Sequence, residues 1–154
     1  MNQMLTLPFS EDTALEAVRL AEDVWNARDP ERIALACSAE DPSRNRVELL
    51  EGRESIKTFL RQKWQREFNY RLVRELWSFT THRIAVRFAA EWCDASGAWF
   101  RSCGYEICEF DDDGLMRRRL ACVRDTPIAV GERKLLWPLG RRPDEHPSLS
   151  ELGF

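Results

Sequence analysis

The chain has 154 residues, 44% hydrophobic and 32% charged, and its net charge of −3 comes from interleaved acids and bases. This is the make-up of one soluble globular domain with a real core, and it argues against a nucleic-acid surface, which would need a basic stripe. No apolar run reaches the length of a membrane span, and the start MNQMLTLPFSEDTALEA lacks a signal peptide's basic lead and greasy middle, so the expected setting is cytoplasmic.

Ser10 reads as an N-cap, and Leu15, Val18, Leu20, Ala21, Val24 and Trp25 recur at helical spacing behind it. Pro30 ends that run and suits the first turn of a short helix, Pro30 to Ala36, capped by Asp29. SAEDPS is turn chemistry. After Gly52 the residues Ile56, Phe59, Leu60, Lys63 and Trp64 share one face of a second long helix. From Tyr70 the period changes to two, and YRLVRELWSF, RIAVRFAAEWCD, WFRSCGYEICEFD and LMRRRLACVRDTPI read as four strands broken at TTH, ASGA and DDDG. The expected architecture is α+β, with three N-terminal helices packed on one face of a curved antiparallel sheet over residues 1–131. Residues 132–154, rich in proline and glycine, form an irregular tail expected to wrap the domain or a partner.

Turn chemistry sets the expected faces. A two-residue turn at Ala95-Ser96 pairs Asp94 with Gly97 and sets Trp92 opposite Trp99; Gly114, as the left-handed residue of DDDG, pairs Asp111 with Leu115 and Arg101 with Asp125. The core face then carries Val73, Trp77, Phe79, Val86, Phe88, Trp92, Trp99, Cys103, Tyr105 and Ile107, with Glu75, Arg101, Arg119 and Asp125 embedded among them. Charges on a core face are paired, wetted by a cavity or functional. Two readings stand: a structural Arg101–Asp125 ion pair, or a wet pocket floored by Glu75, Arg101, Tyr105 and Asp125 and walled by Trp25 and Trp64.

The segments AEDVWNARDPERIALA, RNRVELLEGRESIKTFLRQKWQRE, RLVRELWSF, RIAVRF, DDDGLMRRR and WPLGRRPDEHPSLSELG together resemble a SnoaL-like group of unknown function, bacterial and fungal, in the nuclear transport factor 2-like superfamily. The resemblance spans nearly the whole chain, the tail being its most specific part. It implies a cone-shaped fold closed on a deep pocket, a homodimer, and, elsewhere in the superfamily, isomerases, cyclases, dehydratases, epoxide hydrolases and inert binding modules. Ser43, the run Cys103 to Cys108, and Leu120, Cys122 and Arg124 depart from the group's pattern, so the pocket lining differs more than the scaffold. Arg44 and Arg46 match it, at a segment that the resemblance sets across the pocket mouth, where either one of them would meet a ligand oxygen or both are surface arginines paired with Glu48 and Glu51.

Five cysteines without a C-x-x-C pair read as reduced thiols, and with two histidines and no H-E-x-x-H, phosphate loop or G-x-S-x-G, neither a metal nor a cofactor is expected. The chemistry open to the chain is then acid–base work on a hydrophobic small molecule. Glu75 or Asp125 would take a proton, Tyr105 and an arginine would steady an oxyanion, and Trp25, Arg44, Arg46, Trp64, Arg101 and Cys103 would hold the ligand. The alternatives are a non-catalytic binding protein and a structural dimer whose pocket is filled by its own side chains.

Overall fold

The computed structural model describes residues 5–36 and 52–154. The Ser10 hydroxyl accepts the Thr13 N–H at 3.2 Å and the Thr13 hydroxyl accepts the Ser10 N–H at 2.8 Å, a reciprocal cap that starts α1 (Glu11–Asn26). Asp29 caps α2 (Pro30–Leu35), which opens on the proline whose missing N–H is harmless there. α3 (Gly52–Arg66) is tied to α2 through Lys57 and Arg61, which both pair with Glu31. Four strands follow, β1 (Phe68–Phe79), β2 (Arg83–Cys93), β3 (Trp99–Phe110) and β4 (Met116–Ile128), antiparallel in the order β1-β2-β3-β4.

β1 lies at an edge, where backbone groups need partners from outside the sheet. α1 supplies them at helical spacing. The buried Asn26 amide donates to the Leu72 carbonyl at 3.0 Å and accepts the Leu72 N–H at 2.8 Å; one turn earlier, buried Glu22 accepts the Arg74 N–H at 2.8 Å. These bonds fix the helix against the strand, so the face of α1 that looks over the sheet is set by two polar side chains as well as by Ala14, Ala17 and Val18.

The observed registers correct the expected faces. Asp94 N–H closes onto Ala98, not Gly97, because the Asp94 carboxylate gathers the Ser96 and Ala98 N–H groups and Gly97 takes the left-handed conformation (φ 87°) of a three-residue loop. Trp92 therefore stands opposite Phe100, and every side chain of β3 is turned over relative to the expectation. The Asp111–Leu115 closure is observed, but a bulge between Glu109 and Phe110 shifts the rest of β4 by one, so Ser102 rather than Arg101 stands opposite Asp125. A second bulge, between Leu76 and Ser78 in β1, puts Trp77 in solvent at 70% exposure and turns Val73 and Glu75 to the outer face. β2 and the inward residues Arg119 and Asp125 of β4 lie as expected.

Two apolar layers result. On the inner face Ile84 and Val86 pack with α1 and Phe9, while Tyr70, Leu72 and Ala90 pack with Trp25, Trp64 and Trp92. On the outer face Val73 and Ala89 pack under Leu135, Trp137 and Leu149 of the tail. The tail also reaches back to α1, where Arg142 Nε donates to Glu22 at 2.8 Å. No helix among the described residues is long and apolar enough to cross a membrane.

Candidate functional site

Where the inner face of the sheet meets α1 and α2, a cavity of about 280 Å³ opens. Helical spacing on α1 sends Ala17, Ala21, Val24 and Trp25 into it, α2 adds Ile33, and the end of the β3–β4 hairpin adds Phe110 and Met116. Against these apolar walls stands a charged floor of Arg74 from β1, Glu106 from β3 and Arg119 from β4, neighbours because each occupies an inward position of its strand.

The three form one ion-paired unit. Arg74 pairs with Glu106 through one carboxylate oxygen, and Arg119 Nε donates to the other at 2.6 Å. The Arg74 and Glu106 side chains are only 7% and 8% exposed, whereas Arg119 keeps 28% and lies over the Trp25 ring, 5.7 Å from its centre. Burial pushes the Glu106 carboxyl up, but the two guanidiniums outweigh it and hold the pKa at about 2. Arg74 is raised: burial works against its charge, and Glu106 more than compensates. At neutral pH the floor thus holds two cations and one anion, and Arg32, also in the lining, makes no ion pair among the described residues. Guanidinium N–H groups in such a floor can donate to oxygen atoms. Glu106, fixed as a carboxylate by two partners, is a poor proton acceptor.

The described residues expected at the site separate into three groups. Trp25 lines the cavity and meets Trp64 edge to face at 5.7 Å, Trp64 itself lining a neighbouring crevice. Asp125 lies on the inner face outside the lining, its carboxylate accepting the Ser102 hydroxyl at 2.5 Å while Ser102 accepts the Trp92 indole N–H at 2.8 Å. Glu75, Arg101, Cys103 and Tyr105 are on the outer face, a consequence of the two register shifts. There Glu75 accepts the Ser150 N–H and hydroxyl of the tail, and Arg101 pairs with fully buried Glu91, which also accepts the Lys134 and Leu135 N–H groups. Cys103 packs under the tail, where burial raises its thiol pKa, and Tyr105 is 58% exposed. Arg44 and Arg46 lie outside the described residues.

Arg74 and Glu106 are the residues that sequence reasoning missed. Alternation along SCGYEIC offers apolar groups on both sides, because the outer face carries Cys103 against the tail and exposed Tyr105 and Ile107, so hydrophobicity does not say which side is in. One signal pointed the other way: Ser102, Gly104, Glu106 and Cys108 form a line of small and polar groups, the pattern of a strand with a cavity above it. No cluster of three metal-ligating side chains occurs among the described residues.

A family described as Protein of unknown function (DUF1348) matches residues 7–136. No curated protein matches the sequence. Among solved structures, the fold is shared with the epoxide hydrolase/cyclase-like enzyme SalBIII of pyran ring formation in the polyether salinomycin, at 14% identity over 75% of this chain and 93% of that one (TM-score 0.62). It is shared with a Δ5-3-ketosteroid isomerase from Mycobacterium sp., at 15% identity over 73% and 98% (TM-score 0.58). An NTF2-like protein of unknown function from Exiguobacterium sp. 255-15 is 18% identical over 75% and 98% (TM-score 0.52). The α+β cone of helices on a four-stranded antiparallel sheet is the nuclear transport factor 2-like fold expected from the sequence.

Proposed function

The chain belongs to the family described as Protein of unknown function (DUF1348), and from that premise we propose that its cone binds a small, largely apolar molecule carrying a carbonyl or anionic oxygen. One observation carries this reading: an apolar-walled cavity of about 280 Å³ whose only charged floor is Arg74–Glu106–Arg119, two cations to one anion among the described residues. Fold alone does not decide the chemistry. That structures of this fold include a ketosteroid isomerase and a cyclase-like enzyme supports a cone that accepts hydrophobic ring compounds.

A second reading, supported by Asp125, is a cofactor-independent isomerase, cyclase or lyase. Asp125 is an inward carboxylate that no cation neutralises among the described residues, held in place by the Trp92–Ser102 relay. In this reading Asp125 takes the proton, beside and not within the cavity that Arg119 floors.

Calorimetric titration with 1-anilinonaphthalene-8-sulfonate, an apolar body with an anionic group, tests the site. Arg119→Met should weaken binding at least tenfold. Unchanged affinity sinks the cone reading. Once a substrate is found, Asp125→Asn separates the two readings: turnover lost with affinity kept speaks for the enzyme, and affinity alone altered speaks for the binder. A homodimer through the uncovered part of the outer face, where Trp77, Tyr105, Ile107 and Leu120 are exposed, belongs to the same proposal, as does a cytoplasmic setting, which suits the free thiols of Cys93, Cys103, Cys108 and Cys122.

A further inference from the structure

The lining of the cone cavity is uneven in charge. Among the described residues it holds three guanidiniums, Arg32, Arg74 and Arg119, against the single carboxylate of Glu106. Arg74 and Arg119 both pair with Glu106, and Arg74 is all but sealed there, its side chain 7% exposed. Arg32 differs from both. Its backbone N–H bonds to the Asp29 cap at 3.4 Å, but its guanidinium makes no hydrogen bond or ion pair among the described residues, and the residue is exposed.

A link in the fold sets Arg32 and Arg119 over the same part of the cavity. The Met116 N–H donates to the Ala36 carbonyl at 2.9 Å, so the end of α2 touches the start of β4. Arg32 stands one helical turn before Ala36, about 6 Å along the axis, and Arg119 follows Met116 by about 10 Å of strand. Both side chains are long and both line the cavity. Arg119 keeps 28% exposure and lies over the Trp25 ring, so its guanidinium is held in place without being sealed off. Like charges gathered at an apolar wall repel, and an anion between them relieves that repulsion. A carboxylate supplies both the charge and two oxygens that match the guanidinium fork, whereas a neutral carbonyl supplies neither.

The volume sets the size of the apolar part. A cavity of about 150 Å³ holds one benzene ring, so about 280 Å³ holds a body of roughly ten heavy atoms. We propose that the cone takes a monocarboxylic acid with an apolar body of that size, its carboxylate bridging Arg32 and Arg119 and its body lying against Val24, Trp25, Ile33 and Phe110. This ligand class rests on the cone reading above and narrows it, from a molecule with an oxygen to an acid selected by Arg32.

The test is calorimetric titration with 4-phenylbutyrate and with its neutral amide, 4-phenylbutyramide. Wild type should bind the acid at least tenfold more tightly than the amide. Because the Arg32 guanidinium holds no other described group in place, Arg32→Met should fold. It should lose at least tenfold in affinity for the acid while its affinity for the amide stays within about twofold. A merely structural role would move both ligands together. Equal binding of acid and amide overturns the proposal, as does an acid affinity unchanged in Arg32→Met, or no binding of the acid at millimolar concentration. The anilinonaphthalene-sulfonate titration tells these failures from failure of the cone reading. Binding that Arg119→Met weakens keeps the cone as a site and removes only the acid; binding that Arg119→Met leaves unchanged removes both.

Discussion

Glu106 shows how far one buried carboxylate can be set by its neighbours. Its folded pKa of about 2 lies below the ordinary value of 4.5, so the stability it contributes is full above about pH 4.5 and is lost as pH falls toward 2. The expected size is about 3 kcal/mol at most, since one pKa unit is about 1.4 kcal/mol. Glu106→Gln should be destabilised by several kcal/mol at pH 7, because the buried Arg74 guanidinium loses its counter-charge and Arg119 loses one of its partners. Denaturant unfolding of both proteins from pH 7 to 2.5 checks this: the gap between them should narrow as the pH drops through 4. A gap that stays constant would mean that Glu106 does not carry this acid sensitivity. The same residue argues against simple acid–base work by the floor itself, since a carboxyl that protonates near pH 2 accepts protons weakly at neutrality.

At the scale of elements, β3 and β4 press together hardest at Gly104. A Cβ built there would lie 1.9 Å from the Cys122 carbonyl oxygen, a backbone atom that cannot swing aside as a side chain could. The position needs no special backbone angle, only the absence of a side chain. Gly104→Ala should therefore part the two strands and cost about 1–3 kcal/mol, with Tm lower by roughly 5 °C. A thermal melt within a degree of wild type would show that the strands absorb the methyl group. Because Glu106 and Arg119 are held across this same pair of strands, the variant should also loosen the floor of the cone and weaken anilinonaphthalene-sulfonate binding.

For the whole molecule, the tail decides which surfaces remain open. Leu135, Trp137 and Leu149 cover Val73 and Ala89, and the buried Arg142–Glu22 pair fastens the tail to α1, leaving Trp77, Tyr105, Ile107 and Leu120 exposed on the rest of the outer face. Ile107 and Leu120 are cross-strand partners, 41% exposed each, and a contiguous apolar area of this kind suits a second copy. Sedimentation equilibrium should give twice the 18.0 kDa chain mass, and Ile107→Lys should return it to the monomer. A wild-type mass of 18.0 kDa would remove the dimer.

The order of elements, the caps at Ser10 and Asp29, the turn at Gly114 and the α+β class were legible in the sequence because each depends on a few adjacent residues. Trp25 is among the cavity's lining residues, on the face of α1 that helical spacing groups with Ala21 and Val18. The faces of β1 and β3 were not legible. A single residue of loop or bulge shifts a register by one and so reverses a strand's faces, and the bulges at Leu76–Ser78 and Glu109–Phe110, like the extra residue of the Asp94 loop, each introduce such a shift. With the outer face apolar as well, part of it under the tail and part exposed, hydrophobic alternation could not reveal which side looked inward. Only the packed structure could bring Arg74, Glu106 and Arg119 together, because charges on three strands become one site when register, twist and the covering tail are all satisfied at once.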